Sequence, residues 1–211
     1  MKKIKKVLSF AMSMSLVFGL VACGGQTSSG GSNNVLKVQI DVEVASMDPQ
    51  IATDGTSFEV LAAVTEGLYS VDADGSPILA IADSVNKSTD GLTYEFKLKD
   101  AKWSNGSAVT ANDFVFAWKR LVDPATASEY SFIAGIAGIK NASEISAGNL
   151  PVEDLGVKAL DEKTLVVELS TPVPFFESLM AFPSFLPVNE EFYVEAGDSF
   201  ATTPDTILAN G

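Results

Sequence analysis

Any chemistry on this chain must be done without imidazole. None of its 211 residues is histidine, and Cys23 is the only cysteine. That removes Ser-His-Asp and Cys-His catalytic arrangements, imidazole metal sites and any disulfide within the chain. Carboxylates, hydroxyls and helix ends remain. A carboxylate pair is the device of a glycosidase, yet no spacing among the 27 Asp+Glu singles out such a pair. Asp72-Ala73-Asp74-Gly75 begins like a calcium loop but lacks the later acidic positions, so it reads as a turn. The loop Ile51–Thr56, with Thr53-Asp54-Gly55-Thr56 at its end, precedes a helix whose first backbone N–H groups have no partner within the helix. They offer a place for a ligand carbonyl or carboxylate, and an ordinary helix cap explains them too.

The elements that position these groups begin with a leader. Lys2, Lys3, Lys5 and Lys6 precede a mostly apolar run from Val7 to Val21, and small residues lead to Cys23. This is the pattern of a secretory signal over residues 1–22, with a core too short for a membrane span. Leu20-Val21-Ala22-Cys23 resembles the lipobox of bacterial lipoproteins, which implies a lipid on Cys23 and an anchor on the membrane. Residues 23–34 then read as a flexible tether, being small, polar and uncharged after the cysteine. Four of the 14 Lys+Arg precede Cys23 and none of the 27 Asp+Glu does, so the remainder holds 10 cations against 27 acids, a formal charge of −17. Such a surface argues against nucleic acid and against a polybasic membrane patch.

Leu36, Val38, Ile40 and Val42 alternate with polar residues, as in a first strand. Thr56-x-x-Glu59 reads as a capping box, with Phe58, Leu61, Ala62 and Leu68 on the buried side and Gly67 near the helix end. The period-two run Leu92-Tyr94-Phe96-Leu98 is a half-buried strand. Asn105-Gly106 suits a type I′ turn, and Thr110 with Asp113 caps a helix carrying Phe114, Ala117, Trp118 and Leu121 on one face. Asp123-Pro124 stops that helix. Short helices follow between Thr126 and Gly148. A second hairpin joins 157–160 to 165–169, a helical turn covers 175–180, Pro183 and Pro187 bracket an extended crossing, and 190–196 is helical. Trp103 and Trp118 read as core. Taken alone, the hairpin and helix of 93–120 are scaffold.

The residues of that stretch carry more. Tyr94-x-Phe96-x-Leu98-Lys99, Ala101-Lys102-Trp103-Ser104-Asn105-Gly106, Val109-Thr110-Ala111-x-Asp113-Phe114 and Trp118-Lys119-Arg120 resemble the signature of the bacterial extracellular solute-binding proteins of peptide ABC importers. Ser46-Met47-Asp48-Pro49, Glu66-Gly67-Leu68, the run Asp123–Tyr130, Leu155–Asp161 and Thr171–Phe176 resemble the oligopeptide branch of that family.

The resemblance implies a mixed α/β chain: the N-terminal part of a class II, periplasmic-binding-protein-like, two-lobed fold. Residues 35–65 and 189–211 would belong to the first lobe and 66–188 to the second. It implies a lipid-anchored receptor on the extracytoplasmic face that grips an extended oligopeptide by its main chain and hands it to membrane permease subunits. The protein would be a monomer with no cofactor, no metal and no catalytic residue. Ligand contacts are implied at Thr53, Asp54, Gly55, Thr56 and Tyr130. Relatives carry an acidic and an apolar residue where Thr53 and Gly55 stand, which leaves Gly55 a backbone role. The groups for the peptide termini would lie mostly beyond Gly211, so that residues 23–211 alone would bind peptide poorly. The same fold could instead take a peptide pheromone, a dipeptide, a nickel chelate, haem or a sugar, and a surface carboxylate-dependent hydrolase is the competing class.

Overall fold

Alternation in Thr93–Leu98 builds the centre of the molecule. In the computed structural model, which describes residues 38–40 and 42–211, Tyr94, Phe96 and Leu98 of this strand are buried and Lys97 is exposed. Chain order gives α1 (Gly55–Val64), β1 (Tyr69–Val71), β2 (Pro77–Leu79), β3 (Ala82–Lys87), β4 (Thr93–Leu98) and α2 (Ala111–Val122). There follow α3 (Phe132–Ile136), α4 (Ala142–Ser146), β5 (Val157–Asp161), β6 (Thr164–Glu168), α5 (Phe176–Leu179) and α6 (Glu190–Ala196). Strands β3-β4-β6-β5 form one antiparallel sheet, and β1-β2 a separate ribbon closed by the Asp72–Gly75 turn.

Helix α2 lies against β5 and β6 and turns Phe114, Ala117, Trp118 and Leu121 into the core, as its spacing predicts. Phe114 and Leu121 each contribute about 1.5–3 kcal/mol on burial. Both tryptophans are core residues with a satisfied N–H. Trp118 Nε1 donates to the Phe185 carbonyl at 2.9 Å, and Trp103 Nε1 to Asp113 at 3.1 Å. A second, small apolar cluster of Ala52, Leu61 and Leu186, with Met47 and Phe58 against it, sits under α1. Residues Ile40–Gly211 pack as one unit.

Several local expectations are corrected. Val38, Ile40 and Val42 are exposed and not in a strand. Their alternation finds no ladder partner among the described residues, and period alone does not make a strand; Leu36 and Asp41 lie outside those residues. The signal, the tether and Cys23 also lie outside them. The cap of α1 is Asp54, not Thr56, because Asp54 Oδ1 accepts the Ser57 N–H at 2.9 Å. Ala62 is exposed, and α1 ends at Val64, so Leu68 and Gly67 belong to the chain beyond it. The turn after Trp103 is not type I′: Gly106 has φ 91° while Asn105 stays negative. Gly106 N–H closes on the Trp103 carbonyl at 2.8 Å, a type I turn with a glycine bulge. The Pro183–Pro187 crossing includes a 3-10 turn at Pro183–Phe185.

Candidate functional site

A buried ion pair sets the loop that enters α1. Arg120, near the end of α2, places Nη2 2.7 Å from Asp48 Oδ2 and Nη1 3.2 Å from Asp48 Oδ1. Nη1 also donates to Gln50 Oε1 at 2.8 Å. The Gln50 amide reaches across to the carbonyls of Ser184 and Leu186, at 3.2 and 3.3 Å. The guanidinium lies over the Tyr193 ring, 4.2 Å from its centroid. A planar fork suits this double duty, since it meets a carboxylate edge-on and an aromatic ring face-on. The Asp48 carbonyl then accepts from Ile51 and Ala52 N–H, turning the chain toward Thr53.

The next residues form a tight hydroxyl–carboxylate knot. The buried Ser57 Oγ donates to Asp54 Oδ2 at 2.6 Å and accepts from the N–H groups of Ala45 and Ser46, both at 3.1 Å. The Ser57 hydroxyl, and then its N–H, hold the Asp54 carboxyl below its ordinary range. Thr53 and Gly55 are exposed, and Thr56 is half-buried. Asp54 is therefore occupied as a cap, while the Thr53 side chain and the Gly55 backbone face outward.

Tyr130 lies half-buried in an aromatic group that α1 also enters. Its ring is 5.5 Å from Phe58, 5.3 Å from Phe182 and stacked 5.7 Å from Phe132. Phe132 is 55% exposed and Ile136, one turn on, 50%, so one side of this group is open. Phe58 thus brings the Thr53–Thr56 turn and Tyr130, 74 or more residues apart in sequence, into one neighbourhood. What the residue reading missed is the Asp48–Gln50–Arg120 set. Both Asp48 and Arg120 stand in the quoted motifs, but 72 residues separate them and no local pattern pairs them. Among the described residues no group of three or more acidic or thiol side chains could hold a metal, and no helix is long and apolar enough to cross a membrane.

The model of the bacterial extracellular solute-binding proteins, family 5 (middle region), matches residues 76–211. The chain belongs to this family. The family 5 chain is 39% identical over 213 residues to the dipeptide-binding protein of Lactococcus lactis subsp. cremoris, matching all of this chain and 38% of the relative. It superposes on the substrate-binding domain of an oligopeptide ABC transporter from Bacillus anthracis with a TM-score of 0.78 and 51% identity, over 80% of this chain and 32% of that one. Against the Listeria monocytogenes OppA bound to peptide the values are 0.76 and 45%, over 79% and 33%. The chain thus spans well under half the length of these relatives. The mixed α/β architecture expected from the sequence is the one that these solved proteins share.

Proposed function

We propose that this family 5 chain is part of the extracytoplasmic substrate-binding component of an ABC importer, and that its cargo is oligopeptide held in extended form. The observation that carries the reading is the 45% identity, over 79% of the chain, to a protein solved with a peptide bound. The relatives described above are binding and transport proteins by name, which leaves the hydrolase reading without support. Main-chain hydrogen bonds would give affinity and a loose fit around side chains would give breadth.

In this reading Thr53, the backbone of Gly55, Thr56 and Tyr130 face the peptide, with Asp54 holding the turn that presents them. Residues 66–188 form the second lobe, with 35–65 and 189–211 in the first. Cys23 carries the lipid that keeps the receptor, a monomer, at the membrane near its permease. The dipeptide name of the L. lactis relative favours a second reading in which the cargo is shorter.

The test is thermal unfolding of the protein, in its full-length context, with unlabelled peptides of two to six residues. Protection by peptide without turnover supports the receptor, and the length that protects best separates the two cargo readings. Labelled fatty acid on wild-type protein but not on C23S tests the anchor.

A further inference from the structure

An asparagine or aspartate followed by glycine carries latent chemistry, because no Cβ shields the glycine nitrogen from the side-chain carbonyl carbon before it. Five such pairs occur in this chain: Asp54-Gly55, Asp74-Gly75, Asp90-Gly91, Asn105-Gly106 and Asn210-Gly211. The acids lose water to this attack only in protonated form, so alkaline solution leaves the two asparagines. The fold holds these two in opposite ways.

Asn210 has both ends of its carboxamide tied to one stretch of backbone. Its Oδ1 accepts the Glu66 N–H at 2.7 Å and its Nδ2 donates to the Glu66 carbonyl at 3.2 Å. The Gly211 N–H, which would have to supply the nucleophile, donates to the Val64 carbonyl at 3.1 Å. Asn105 sits in the turn after Trp103, where residues 104–108 are all exposed. Its Nδ2 has no hydrogen-bond partner among the described residues, while its Oδ1 accepts the Ser107 N–H at 3.0 Å and the Ser107 hydroxyl at 2.7 Å. A Cβ built on Gly106 would meet nothing within 4 Å beyond its chain neighbours, so there is room for a ring to form. One bond stands in the way, from the Gly106 N–H to the Trp103 carbonyl at 2.8 Å. It closes a solvent-exposed turn, the kind of bond that opens locally at low cost.

We propose that Asn105 is a site of spontaneous covalent modification in the folded protein, assisted by the Ser107 hydroxyl. The Gly106 nitrogen gives its proton to base and bonds to Asn105 Cγ; the Cγ–Nδ2 bond breaks and Nδ2 leaves as ammonia. Water then opens the resulting succinimide at either carbonyl, giving aspartate or isoaspartate. One water is taken up and one ammonia released, with no oxidation or reduction. Negative charge gathers on Oδ1 as Cγ turns tetrahedral, and the Ser107 hydroxyl already donates to that oxygen. The isoaspartate form carries the main chain through Cγ. It adds a carbon to the loop that the Trp103 N–H closes on the Ser107 carbonyl at 2.8 Å, and so lengthens the turn that leads into α2.

The protein, in its full-length context, is incubated folded in mildly alkaline buffer and mapped by peptide mass spectrometry, beside a synthetic peptide of residues 103–119. The amide-to-acid mass gain appears about tenfold or more faster at Asn105 than at Asn210, the worth of the extra bonds at Asn210. S107A slows Asn105 about threefold or more in the folded protein, the worth of one net hydrogen bond, and leaves the rate in the peptide unchanged. Equal rates at the two asparagines, or an Asn105 that stays intact in the protein while the peptide reacts, overturn the site. An S107A rate equal to wild type, or slowed equally in protein and peptide, overturns the part given to the hydroxyl. No cargo enters these measurements, so a failure of the receptor reading would leave them standing.

Discussion

Arg120 and Asp48 are joined by a bidentate ion pair that is almost fully buried, with side chains 9% and 10% exposed. The pair ties the last turn of α2 to the loop that leads into α1. Its stability rests on geometry rather than charge alone. Gln50 fills a further guanidinium N–H, and Tyr193 covers the guanidinium face, so desolvation is offset on most sides.

Removing one partner leaves the other buried without compensation. R120M is expected to cost about 3–5 kcal/mol, and D48N/R120M less than the sum of its single changes. R120K should also destabilise, because an ammonium cannot make both bonds and cover the ring. Urea unfolding of R120M, D48N, the double variant and R120K checks this; a double-variant cost equal to the sum of the two single costs would argue against a coupled pair.

Ser57 is expected to matter more than its size suggests. S57A deletes one donor and one acceptor and leaves the Ala45 and Ser46 N–H groups without their partner. A loss of about 1–3 kcal/mol follows. Exchange protection at Ala45 and Ser46 should fall in the same variant.

Gly138 has φ 73°, and an added Cβ would meet Val173 Cγ2 at 2.7 Å. G138A is therefore strained both in backbone and in packing, and should lose about 2 kcal/mol or more. A thermal midpoint within error of wild type would contradict this.

Acid should weaken the fold. The carboxyls of Asp54, Asp90, Asp161 and Glu168 sit below their ordinary values. The causes are the Ser57 hydroxyl, the Ser88 hydroxyl, the Lys163 N–H and the Lys140 ammonium in turn. A lowered folded-state pKa contributes stability above the unfolded value, here 3.8 for Asp and 4.5 for Glu, and that stability is lost as pH falls through the folded value. Asp113 has the opposite sign: burial raises it, so it holds its proton more tightly when folded and favours the fold as pH falls. Four groups against one predict a urea midpoint that drops below those ordinary values. K140M/K158M should flatten part of that drop, since both lysines pair with Glu168.

The sheet and α2 were legible because each has a period and a buried face that agree. Phe96 and Trp118 could go nowhere else. The Asp48–Arg120 pair was not legible, since 72 residues separate its members and no local pattern links them. At the start of α1 the Thr56-x-x-Glu59 pattern put the cap two residues late, because the Ser57 N–H and hydroxyl both turn to Asp54. At Asn105-Gly106 one glycine was enough for the bulged turn, so the dipeptide rule overreached. The exposed alternation at 38–42 shows the limit of periodicity: a strand also needs a neighbour. Tyr130 entered by resemblance alone, and its aromatic neighbours Phe58 and Phe182 come from two other segments that no spacing rule connects.

The proposed main-chain capture is tested most directly by isothermal titration of the protein, in its full-length context, with tetra-alanine and with the same peptide N-methylated along its backbone. Binding of the first at micromolar concentration or tighter, abolished in the second and little changed when alanines are exchanged for other side chains, is the predicted result. Equal binding of both peptides, or none of either, would contradict it.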